Sequence, residues 1–146
     1  MKRGTADMPS NSEALPFRVI IPNNLAAARK VEERIIRQVE AMGYAPRCVF
    51  GIRLALEEAM VNAFKHGNRG DETKRIIVSY DIGPQRVVVR VRDEGPGFDP
   101  ARVPDPTSPD RVCLPCGRGI MLMRAYLDEV TYSDDGNEVQ LVKEKP

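Results

Sequence analysis

The chain is expected to fold as an α+β two-layer α/β sandwich, a mixed and mostly antiparallel sheet covered by helices on one face. Three observations lead there. Two long helical stretches follow one another directly, strand-like runs come in adjacent pairs joined by tight-turn signals, and the order of elements is not that of a doubly wound Rossmann fold. A chain of 146 residues has the size of one domain with its own core.

Residues 1 to about 14 are polar and rich in Ser, Asn, Asp and Pro, and are expected to form a disordered tail before a domain over 15–146. Phe17-Arg18-Val19-Ile20-Ile21, closed by Pro22, reads as an edge strand. Asn23 or Asn24 is placed to cap a first helix, whose apolar positions Leu25, Ala28, Val31, Ile35, Val39 and Met42 keep helical spacing up to Gly43. A second helix runs from about Pro46 to a stop at Gly67-Asn68. Two strands follow, Arg75 to Ile82 and Arg86 to Asp93, turning at Gly83-Pro84. Residues 94 to 116 are rich in Pro and Gly without periodicity, the mark of a functional lid or linker. A short helix from Gly117 to about Tyr126 precedes two last strands, which turn at Asp134-Asp135-Gly136-Asn137.

Composition excludes several classes. Lys plus Arg number 22 and Asp plus Glu 21, so a net charge of +1 gives no reason to expect nucleic acid or an anionic membrane as the main partner. The N-terminus lacks the apolar core of a secretory signal, and no segment approaches the roughly 20 apolar residues of a membrane span. Three cysteines do not make a disulfide framework, which agrees with a reducing compartment and a cytoplasmic protein.

Three local patterns carry chemistry. Glu58 and Asn62, four apart on one helix face, combine a carboxylate able to take a proton with a neutral amide oxygen suited to Mg²⁺. A solvated helix face gives the same spacing, but Ala59, Met60, Val61, Ala63 and Phe64 leave little of this stretch obviously exposed. Asp93-Glu94-Gly95-Pro96-Gly97-Phe98 follows a strand directly. An ionised Asp there accepts an amine, and the glycines admit a ligand closely, although a plain turn has the same composition. Gly117-Arg118-Gly119-Ile120 opens a helix, where free N–H groups and an arginine suit phosphate. It is neither a Walker A motif nor a Rossmann fingerprint.

Each pattern alone is weak. In this order they resemble the N, G1 and G2 boxes of the GHKL (Bergerat-fold) ATPases, over roughly residues 16 to 144. The short chain and the Gly-Arg-Gly-Ile-Met-Leu-Met-Arg run look like the anti-sigma-factor serine/threonine kinases. The resemblance implies a Bergerat ATP-binding fold with ATP and Mg²⁺. It makes Asn62 the magnesium ligand, Glu58 the catalytic carboxylate and Asp93 the adenine anchor. It gives Gly95, Gly97, Gly117, Arg118, Gly119 and Ile120 to nucleotide binding, and residues 99 to 116 to an ATP lid. It further implies transfer of the γ-phosphate to an antagonist of the STAS type, sequestration of a sigma factor, and a homodimer. Two alternatives stand beside it: the ATPase half of a two-component histidine kinase, and a binding module that uses ATP without catalysis.

Some residues fit less well. Cys113-Leu114-Pro115-Cys116 at the lid's end is foreign to the family pattern, and Asn137 stands where many relatives carry Thr. Zinc needs four ligands, and only Cys48 and His66, distant in sequence, remain to complete a site. Cys116 beside a helix start leaves a redox-sensitive lid as the alternative to two fortuitous thiols. His66 is read as a helix-end residue meeting terminal carbonyls, and Met121, Leu122 and Met123 as core.

Overall fold

The computed structural model describes residues 14–96, 121 and 123–146. Strand β1 (Phe17–Pro22) leads to helix α1 (Leu25–Ala41) and helix α2 (Pro46–Val61), which one π-helical turn (Asn62–Gly67) prolongs. Then come β2 (Arg75–Ile82), β3 (Arg86–Asp93), β4 (Glu129–Tyr132) and β5 (Glu138–Glu144). The strands form one sheet in the order β1-β2-β3-β5-β4. All four pairings are antiparallel, so the expected α+β arrangement has no parallel pair among the described strands.

Local chemistry sets the boundaries. Asn24, not Asn23, caps α1, its side-chain oxygen accepting from Ala27 N at 2.7 Å. Pro46 opens α2, where its missing N–H costs nothing. The buried Tyr44 between the helices donates from its hydroxyl to Gly83 O at 2.8 Å, tying the α1–α2 turn to the β2–β3 turn.

Alternation along the strands decides which face meets the helices. Ile76, Val78, Tyr80 and Ile82 of β2 are buried, and the register puts Asp93, Val91, Val89 and Val87 of β3 opposite them. Val139 and Leu141 of β5 continue that face. Val31, Ile35 and Val39 of α1 and Ile52, Leu56 and Met60 of α2 complete the core. Full burial of such side chains supplies roughly 1.5–3 kcal/mol each. Asp93 is the last member of the valine series, so the same alternation carries a carboxylate to the rim of the core. On the other face the buried Arg90 donates from Nε to Gln140 Oε1 at 2.8 Å, and Gln140 Nε2 to Glu129 Oε1 at 3.2 Å.

The Met cluster is corrected in part. Met123 is buried but Met121 is 47% exposed, and Leu122 lies outside the described residues. Among the described residues no helix is long and apolar enough to cross a membrane.

Glu32 breaks the apolar pattern of α1. It is buried, and its pKa is pushed up to about 7, first by burial and then by Glu57 and Glu33, with Arg29 and Arg53 acting the other way. A carboxyl with a raised folded pKa holds an extra proton in the native state, here between the ordinary 4.5 and about 7. Its penalty therefore grows as pH rises through that window and is complete above it. Glu32→Gln is expected to stabilise the protein at pH 8 by on the order of 1–3 kcal/mol, with little effect near pH 4. Urea melts at both pH values check this, and an unchanged midpoint at pH 8 contradicts it.

Candidate functional site

A cavity of about 220 Å³ opens at the sheet rim, walled by Asn62, His66 and Gly67 of the π-turn, Asp93 of β3, and Tyr132 and Asn137 beside the last hairpin turn. The π-turn corrects the expected continuous second helix. Asn62 N still bonds back to the Glu58 and Ala59 carbonyls, but Asn68 N donates to Ala63 O, five residues back, at 2.8 Å. Residues five apart lie about 140° around an α-helix. The wider turn brings Asn62 and Gly67 to one wall, a use often made of such turns at functional sites. Arg69 then takes a left-handed φ of 53°, a strain of about 1–2 kcal/mol. Gly70 N, bonded to Phe64 O at 2.9 Å, pins the turn.

Asp93 is 8% exposed. Its backbone N donates to Asn137 O at 2.9 Å, and its Oδ1 accepts from Gly95 N at 2.8 Å. Burial pushes its pKa up, while the Gly95 N–H pulls the other way. A Cβ on Gly67 would stand 2.2 Å from Asp93 Oδ2, and one on Gly95 would stand 1.8 Å from Gly67 O. The π-turn, Asp93 and the chain after it thus interlock at distances only glycine allows. Gly95→Ala is expected to cost about 2 kcal/mol of stability or more, because backbone atoms must move. Equilibrium unfolding measures this; a cost near zero contradicts the interlock.

Asn62 Nδ2 is buried and has no hydrogen-bond partner among the described residues. Such an atom is rare in a folded protein, and on a cavity wall it marks a donor whose partner comes from outside the described residues. Glu58, half-buried one turn earlier, is not among the residues lining the cavity. Its pKa is raised by burial and then by Glu57. His66 lines the cavity with a pKa lowered by burial and then by Lys65, which keeps its imidazole neutral at pH 7.

Asn62 and Asp93, far apart in sequence, therefore meet at one cavity, with Gly95 bonded to Asp93 and Glu58 standing one turn off. Gly97, Gly117, Arg118, Gly119 and Ile120 lie outside the described residues, as do residues 1–13, the lid span 99–116, Cys113 and Cys116. Cys48 is a buried free thiol in α2. The helix stops at Gly67-Asn68 as expected, but the expected stop and the Asn23 cap left out a second role: Gly67 also packs on Asp93, and Asn23 and Asn68 are buried and bonded to each other. The doubtful Asn137 lines the cavity, and its Oδ1 accepts from Ser133 Oγ at 3.3 Å.

The sequence matches the histidine kinase-like ATPase domain family over residues 21–143. It is 30% identical over 111 residues to a serine-protein kinase RsbW of Listeria innocua, covering 69% of each chain. A serine-protein kinase RsbW of Bacillus licheniformis is 29% identical over 109 residues, covering 70% of this chain and 68% of its own. An anti-sigma F factor of Clostridium perfringens is 30% identical over 98 residues, covering 64% of this chain and 69% of its own. The crystal structure of the RsbU and RsbW domains of Rv1364c from Mycobacterium tuberculosis matches 87% of this chain with a TM-score of 0.58 at 18% identity. This chain spans 31% of that longer one, and the likeness is one of fold.

Proposed function

The chain belongs to the histidine kinase-like ATPase domain family, and on that premise we propose that it is an ATP-dependent serine/threonine protein kinase of the anti-sigma-factor type. One observation carries the reading: Asn62, whose Nδ2 donor has no partner among the described residues, and Asp93, a buried carboxylate, line the same cavity.

Asp93 takes the exocyclic amine of adenine, since a carboxylate bonded once by Gly95 N retains acceptor capacity. Asn62 Oδ1 is the atom that would take a hard cation, because Mg²⁺ takes few protein oxygens beside waters and phosphates, while the unpartnered Nδ2 is a donor and fits a phosphate oxygen. When bound, the cation neutralises phosphate charge. Glu58 accepts the proton of the attacking serine or threonine hydroxyl as the new P–O bond forms and ADP leaves, and its raised pKa brings it nearer the working pH of a general base. Gly97, Gly117, Arg118, Gly119 and Ile120 hold the phosphates, under a lid over residues 99–116. The relatives' names, a serine-protein kinase and an anti-sigma F factor, support a protein serine as acceptor and a sigma factor as the protein held; the phosphoacceptor in this reading is a STAS-type antagonist. The kinase acts as a homodimer in the cytoplasm.

Incubation with γ-labelled ATP, Mg²⁺ and the STAS-domain protein encoded nearest to it tests this. Label on a serine or threonine is expected. Nucleotide binding without transfer would favour the non-catalytic module, and acid-labile label on histidine the two-component alternative.

A further inference from the structure

We propose that Asn68 is a positioning residue for base recognition, setting the spacing between the two cavity walls and the aim of the Asp93 carboxylate. The proposal rests on the nucleotide reading of the cavity. Asn68 is 1% exposed. Its backbone N–H closes the π-turn on Ala63 O at 2.8 Å, so it ends the wall that carries Asn62 and His66. Its side chain reaches the opposite wall, Oδ1 accepting from Glu94 N, next to Asp93, at 2.8 Å. Nδ2 donates to Arg75 O at 2.9 Å and to Asn23 Oδ1 at 3.0 Å, and Asn23 Nδ2 donates to Asp71 O at 3.1 Å. One buried amide thus joins the π-turn, the start of β2, the end of β3 and the β1–α1 connection.

Only asparagine chemistry satisfies this position. Both Nδ2 hydrogens and the oxygen are used, and two of the partners, Arg75 O and Asn23 Oδ1, are acceptors. A carboxylate there would face both acceptors with no donor. Alanine would leave Glu94 N, Arg75 O and Asn23 Oδ1 without this partner inside the protein. Asp93 is then held on its carbonyl side by Glu94 N bonded to Asn68, and on its amide side by its own N bonded to Asn137 O. Loosening the first of these frees the carboxylate to swing.

The test compares ATP with purine riboside triphosphate, which lacks only the 6-amino group, by calorimetric titration of wild type and Asn68→Ala. Wild type is expected to prefer ATP. Asn68→Ala is expected to reduce that preference about tenfold, the worth of one well-aimed hydrogen bond to a charged group. A purely structural role would leave the ratio unchanged, with both affinities falling together or neither, and that result overturns the proposal. A wild type that binds both nucleotides alike removes Asp93 from base recognition, and the proposal with it. If Asn68→Ala does not fold, Asn23→Ala is read the same way. It removes one of the three side-chain bonds of Asn68, and an unchanged ratio there is equally contradictory.

Discussion

Asp93→Asn is expected to weaken ATP binding about 100-fold while leaving the protein at least as stable as wild type. Gly95 N already engages Asp93 Oδ1 at 2.8 Å. In the variant that bond claims the single amide oxygen, so the new NH₂ group faces the adenine amine, donor against donor. Stability moves the other way. Burial raises the pKa of Asp93 above the ordinary 3.8, so its ionised form carries a penalty at neutral pH that a neutral amide lacks. Calorimetry beside thermal melts separates the two effects. Unchanged affinity removes Asp93 from the base, and a joint loss of affinity and stability reduces it to a structural residue.

Glu58→Gln is expected to slow phosphoryl transfer by about 10²–10⁴-fold, the usual contribution of a general base, with ATP affinity changed less than about twofold. The small effect on affinity follows from geometry, since Glu58 is not part of the cavity wall. Burial and Glu57 raise its pKa, so wild-type turnover should climb with pH through a value above the ordinary 4.5 as the base ionises. The variant should lose that limb. Single-turnover rates across pH check both features, and a variant that keeps the acid limb assigns the proton to another group.

Much of this was legible in the sequence because it depends on local rules. β-branched runs, the Pro46 helix start and the hairpin turns each follow from one stretch of chain. The convergence of Asn62 and Asp93 on one cavity was legible only through the resemblance of the three boxes to the GHKL ATPases. The π-turn was not legible. Its longer-range bond from Asn68 N to Ala63 O stands with a side chain that is anchored on β2 and β3, and no helical periodicity encodes such a partner. For the same reason Gly67 and Asn68 read as an ordinary helix stop. What makes them part of the site is the Asp93 carboxylate packed against one and Glu94 N bonded to the other. Glu32 likewise falls outside the apolar spacing that the sequence shows for α1, yet it is buried, with Glu57 of α2 near enough to raise its pKa.

Titrating ¹⁵N-labelled protein with ADP and Mg²⁺ while following backbone amides tests most directly that the rim cavity is the nucleotide site. Saturable shifts are expected at Asn62, His66, Gly67, Gly95 and Asn137, with β1 and the exposed face of α1 undisturbed. Shifts confined to other surfaces, or none at millimolar nucleotide, would contradict it.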